Sequence, residues 1–160
     1  MDEARSAYLD GLRMLSRREL SEAQIRQRLA RRGHDDGTVN EAVGRLVAER
    51  AVDDERVAQA IARTETGIRK RGRLRVRRKI ESAGISPATA KRAVDEVFGD
   101  IDDGALLESA LAKRLRRGAG IADERAFNRL YRYLVGQGFE PPRVLAVLKK
   151  NHKGHDDRDG

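Results

Sequence analysis

Ser21-Glu22-Ala23-Gln24-Ile25-Arg26-Gln27-Arg28-Leu29-Ala30-Arg31-Arg32-Gly33-His34 encodes one helix together with both of its ends. Ser21 and Gln24 have the spacing of a capping box, in which the hydroxyl accepts a free N–H of the first turn and the Gln side chain reaches back. Ile25 and Leu29, four residues apart, share one face. Gly33 falls where the chain leaves the helix in a left-handed conformation, which costs a residue without Cβ nothing.

The same pattern recurs twice when the chain is aligned on Gly33, Gly84 and Gly138. Eight residues before each glycine stand Ile25, Val76 and Leu130, and four before stand Leu29, Ile80 and Leu134. The residue after it is His34, Ile85 or Phe139, and ten after come Val43, Val94 and Leu148. Each glycine therefore joins two amphipathic helices, over Ile25 to Leu46, Val76 to Val97 and Leu130 to Leu148. Ser86-Pro87 supplies a cap and a first-turn proline for one of the second helices. A further amphipathic stretch precedes each pair: Ala7 to Leu15, Glu55 to Lys70 carrying Val57, Ile61 and Ile68, and Ala105 to Leu115. The expected fold is all-α, an elongated array of three tandem three-helix, helix-turn-helix-like repeats at 1–52, 53–99 and 100–150. The hinges fall at Val52-Asp53-Asp54 and at Gly99 to Gly104. The polar run from Asn151 to Gly160 offers nothing to bury and is expected to be a disordered tail.

Composition agrees with this. Of the 160 residues 38% are charged and only 4% aromatic, with no Trp, so buried volume must come from aliphatic residues on many small faces instead of one sandwich or barrel core. Lys and Arg number 34 against 26 acidic residues, a net charge of +8 that favours a polyanionic partner. Without Cys there are no disulfides, thiolate catalysis or Cys-based metal sites, which fits a reducing cytoplasm. No apolar run approaches the roughly 18 residues of a membrane span, and Met1-Asp2-Glu3 does not open a signal peptide. A soluble, cytoplasmic protein without membrane contact is expected.

Arg69-Lys70-Arg71-Gly72-Arg73-Leu74-Arg75-Val76-Arg77-Arg78-Lys79 places eight basic residues in eleven. With Val76, Ile80 and Ala83 facing a core, the charge wraps the outer arc of the helix. The segment contains no acidic residue before Glu81 to offset the repulsion, so a surface for phosphates or an acidic protein groove is expected. Arg17-Arg18, Arg31-Arg32 and Lys113-Arg114-Leu115-Arg116-Arg117 are weaker candidates, because cations in a last turn already complement the helix dipole. Asp35-Asp36, Asp53-Asp54-Glu55 and Asp102-Asp103 stand at helix starts and read as caps. Phe127, Tyr131 and Phe139 fall at core spacing, and His34 is expected to be half-buried packing. No catalytic residue, metal ligand or cofactor site emerges.

Leu15-Ser16-Arg17-Arg18-Glu19-Leu20-Ser21-Glu22 with Ile25 and Leu29, then Asp53-Asp54-Glu55-Arg56 with Ala58, then Lys70-Arg71-Gly72, Gly84-Ile85 and Gly138-Phe139, together resemble the RecX family over Tyr8 to Lys150. The resemblance implies a non-enzymatic, monomeric regulator of the RecA recombinase. It implies a curved chain of three repeats lying in the groove of the RecA filament on single-stranded DNA, inhibiting ATP hydrolysis, strand exchange and coprotease activity. On this reading the RecA/DNA-binding residues are Arg69, Lys70, Arg71, Arg73, Arg75, Arg77, Arg78 and Lys79, with Lys113, Arg114, Arg116 and Arg117 secondary. A helix-turn-helix reader of duplex DNA is the alternative, although helices such as Ala88 to Val97 carry few side chains suited to base edges.

Overall fold

The computed structural model describes residues 2–115 and 120–152. Among them are nine α-helices and no β-strand beyond one isolated bridge: α1 (Glu3–Arg17), α2 (Glu22–Arg31), α3 (Asp36–Ala48), α4 (Asp54–Gly67), α5 (Arg73–Ser82), α6 (Pro87–Gly99), α7 (Asp103–Arg114), α8 (Glu124–Gly136) and α9 (Pro141–Lys150). The fold is an all-α helical repeat.

The helix ends follow from local chemistry. The capping box at Ser21 and Gln24 is complete, and Asp35, Asp53, Asp102 and Asp123 each accept an N–H of the helix that follows. Ser86 does the same for α6. Gly33, Gly84 and Gly138 have φ of 95°, 79° and 101°. After α2, the Gly33 N–H donates to the Ala30 carbonyl and the His34 N–H to that of Leu29. After α8, Gly138 and Phe139 donate likewise to Val135 and Leu134, so both helices end in the reverse-turn closure that a left-handed glycine permits.

The chain packs as two compact units, Met1–Ile61 with Lys79–Ala93, and Ala62–Arg78 with Val94–Gly160. These units do not coincide with three 50-residue modules, because α4, α5 and α6 each contribute to both. Hydrogen bonds within each unit supply the reason. In the first unit the Ser21 hydroxyl donates to the Ala83 carbonyl, and the Glu22 N–H donates to Asp54 at 2.9 Å. In the second, the Gly72 N–H donates to the Gln137 carbonyl at 2.9 Å and the Leu74 N–H to that of Gly138 at 3.1 Å.

The core of the first unit joins Ala7, Leu20, Ile25, Leu29, Val39, Ala42, Val43 and Leu46, with α1 packed chiefly on α3. Gly11 lets α1 approach Leu46 closely. His34 is half-buried as expected, yet its contact is polar: Nε2 lies 2.9 Å from Asp10 Oδ2, and Arg32 reaches Asp10 Oδ1 at 3.1 Å. The hydrogen bond from His34, helped by the charge of Arg32, holds the Asp10 carboxyl below the usual carboxylate range.

In the second unit Leu106, Leu107, Ala110 and Leu111 of α7, Leu134 of α8 and Val144 and Leu148 of α9 are buried, as are Ile121 and Phe139. Phe127 and Tyr131 are half-buried. Two expectations need correction here. Helix α4 stops at Gly67, short of Lys70, and leaves Ile68 74% exposed instead of on an apolar face. The physical reason is Lys70, whose φ of 53° turns the chain so that Arg71 can meet a buried carboxylate on α4. Asn151 and His152 are also not free tail: the Ile121 N–H donates to the Asn151 carbonyl at 3.1 Å, and the His152 ring stands edge-on to Phe127. Residues 153–160, the remainder of the expected tail, lie outside the described residues.

A Cβ on Gly138 would sit 2.4 Å from the Arg75 backbone nitrogen, at a φ that already strains any other residue. Gly138→Ala should therefore cost about 3 kcal/mol or more in urea unfolding. Gly44, exposed within α3 with open space around it, is the contrast, and Gly44→Ala should add about 0.5–1 kcal/mol. Because the native-state value of Asp10 is depressed, its contribution is complete above the ordinary carboxylate pKa and is lost as the pH falls through the folded value. Asp10→Asn should give a shallower fall in Tm between about pH 5 and pH 3 than the parent shows.

Candidate functional site

The basic run spans the end of the α4–α5 connection and most of α5. Glu65, only 3% exposed on α4, would be prohibitively costly as a lone buried charge. Arg71 Nη1 meets it at 2.9 Å and Arg69 Nη1 lies at 3.7 Å, while the Arg71 N–H donates to the Glu65 carbonyl. Arg73 is similarly engaged: its Nε lies 3.1 Å from Asp103 and an Nη 3.4 Å from Asp95, with the guanidinium over the Phe98 ring at 4.9 Å. Arg75 donates to the Gly136 carbonyl at 3.2 Å. The expectation that this run lacks acidic partners is thus corrected. Its partners come from α4, α6 and the start of α7, up to 30 residues away in sequence.

The members of the run that are exposed form a smaller set. Arg69 is exposed before α5, and Arg77, Arg78 and Lys79 are exposed along it. Arg78 leans back on its own helix, Nε donating to the Leu74 carbonyl. Leu74, 45% exposed, accompanies these cations on α5. Of the secondary group, Lys113 is exposed and Arg114 stacks on the Tyr133 ring at 3.6 Å. Arg116 and Arg117 lie outside the described residues.

The structure also gathers arginines that the sequence reading ranked low. Arg17, Arg18, Arg31 and Arg32 line one cleft together with Arg13 and Arg28. Arg13 and Arg28 were missed, although each stands four residues before a member of the recognised pairs, a spacing that places them on the same helix face.

Among the described residues no group of His, Asp and Glu is placed to hold a metal ion. The acidic pairs serve as caps or ion-pair partners, and the pocket beside Arg73, Asp103 and Phe139 holds about 20 Å³, room for a water and not a substrate. No helix among the described residues is long and apolar enough to cross a membrane.

Comparison with known proteins gives a consistent result. The family model described as RecX, first three-helix domain, matches residues 7–46. The chain is 33% identical over 137 residues to the regulatory protein RecX of Halorhodospira halophila, covering 85% of this chain and 82% of that protein. It is 30% identical over 148 residues to the regulatory protein RecX of Geobacillus kaustophilus, covering 92% of this chain but 54% of that longer protein. In fold it is similar to the crystal structure of RecX from Lactobacillus salivarius, with a TM-score of 0.76 at 18% identity over 93% of this chain and 96% of that one.

The ion pairs separate structural arginines from presented ones. Arg71→Ala should cost about 3 kcal/mol in urea unfolding, because it strands Glu65 without its closest cation. Arg78→Ala, at an exposed position, should stay within about 0.5 kcal/mol of the parent.

Proposed function

The chain belongs to the RecX family, and from that membership we propose that it is a non-enzymatic regulator of the RecA recombinase. It binds as a monomer in the groove of the RecA–single-stranded DNA filament and restrains RecA ATP hydrolysis, strand exchange and coprotease activity. In the cytoplasm it thereby tempers DNA repair and the SOS response. The modules 1–52, 53–99 and 100–150 are its repeat units, and Arg69 to Lys79 carry its principal contact. The supporting observation is the row Arg77, Arg78 and Lys79, exposed on one helix beside residues that hold the fold. Within the run, Arg71 and Arg73 act by shaping the surface, and Arg69, Arg77, Arg78 and Lys79 act by meeting the partner. Lys70 and Arg75 flank both groups.

Reading of duplex DNA by the helix-glycine-helix units has less support, since Arg92 on α6 is already paired with Glu55 at 3.0 Å. Sequence-independent attraction to a polyanion needs no such base-reading set.

The test is inhibition of RecA ATPase on single-stranded DNA by the double variant Arg78→Ala/Lys79→Ala. A charge-assisted contact contributes about 1.5 kcal/mol, so the concentration for half-inhibition should rise at least about tenfold while the thermal midpoint is unchanged. A folded variant that inhibits as well as the parent would remove this face from the mechanism.

A further inference from the structure

Two helices of the first unit bring their C-terminal ends to one place. Arg13, Arg17 and the C-cap Arg18 of α1 face Arg28, Arg31 and the C-cap Arg32 of α2 across an open cleft of about 440 Å³. Asp10 engages two of the six, Arg32 at 3.1 Å and Arg13 at 3.5 Å. Among the described residues no ion pair engages Arg17, Arg18, Arg28 or Arg31. Helix dipoles account for a cation or two in each last turn. They do not require the cations of two helices to line the same concavity, where like charges repel one another.

We propose that this cleft seats the phosphodiester backbone of a single nucleic-acid strand, as an anion site carried by the first unit alone. The inference goes beyond the RecA reading and does not need it. Arginine forks match phosphate oxygens in a bidentate geometry, and guanidinium planes also stack on bases whatever their identity. The volume lies in the range of small-ligand clefts, about 300–1,000 Å³, which suits a nucleotide or two of one strand. An acidic peptide fits less well. It would look for apolar anchors or a strand edge, and the cleft offers Met14 as its sole apolar lining residue and no strand. Asp10, itself held by His34, braces one wall by engaging Arg32 and Arg13 and leaves Arg17, Arg18, Arg28 and Arg31 to the ligand.

The experiment titrates the full chain, without RecA, into fluorescein-labelled (dT)20 and follows anisotropy over a salt series. Arg17→Ala/Arg28→Ala/Arg31→Ala replaces exposed or half-buried helical residues by the best helix former, and its circular dichroism and Tm should match the parent. Its affinity should fall at least tenfold. The slope of log K against log salt should shrink by about 2, at about 0.7 per lost contact with a single strand. Arg5→Ala/Arg125→Ala/Arg129→Ala removes the same charge from exposed positions elsewhere and should lose less than threefold. Four results would overturn the proposal: a parent that does not bind (dT)20 at low salt, equal losses in both triple variants, a duplex of equal length bound as tightly as the single strand, or a first variant that binds (dT)20 normally but no longer binds poly-L-glutamate. Because RecA is absent, failure here leaves the RecA reading intact, and failure of RecA inhibition leaves this site intact.

Discussion

Glu65 sets the terms on which the basic run is used. A carboxylate at 3% exposure is costly to bury without a cation and hydrogen-bond donors beside it, and the α4–α5 connection delivers Arg71 there. Delivering it requires the left-handed turn at Lys70, which in turn ends α4 early and pushes Ile68 into solvent. Arg71 then hands the chain to Gly72, whose missing side chain allows backbone contact with Gly138: a Cβ there would sit 2.5 Å from the Gly138 carbonyl group. One buried acid thus fixes the path of the chain into α5, where Asp95 and Asp103 in turn hold Arg73.

The glycine turns carry the second constraint. Gly138 must adopt positive φ to close α8, and the same absence of Cβ lets Arg75 come against it. Gly84 closes α5 in the same conformation and brings the chain against Ala23 of α2. A residue that serves both as helix terminator and as contact point cannot be replaced for either purpose alone. Gly84 thus ties the end of α5 to α2 within the first unit, and Gly138 ties Arg75 to the turn after α8 within the second.

Cations fall into two groups by their partners. Arg71, Arg73, Arg56 and Arg143 spend their charge on carboxylates within their own unit, and the loss of Arg71 would leave a buried acid without its closest cation. Arg17, Arg18, Arg28 and Arg31 have no such partner among the described residues, and exposed Lys79 adds to the outward charge of α5. A net charge of +8 is therefore an incomplete description of where a polyanion can be held. The outward groups, not the total, set the contacts that salt would screen.

Sequence by itself determined the features governed by neighbours three or four residues apart. The capping box at Ser21, the faces built on Ile25, Leu29, Val76, Ile80 and Leu134, and the left-handed turns at Gly33, Gly84 and Gly138 all follow from helix geometry and backbone sterics. The family was legible for the same reason, because its motifs sit at those turns and caps. Tertiary structure alone decided which arginines of the basic run are spent on Glu65, Asp95 and Asp103, and that Arg13, Arg17, Arg18, Arg28, Arg31 and Arg32 share one cleft. It also decided that His34 meets Asp10 instead of an apolar neighbour. Coulomb interaction acts between side chains near in space, and Asp103 lies 30 residues from Arg73 along the chain. Until the helices pack, nothing in the order of the residues says which charges will meet.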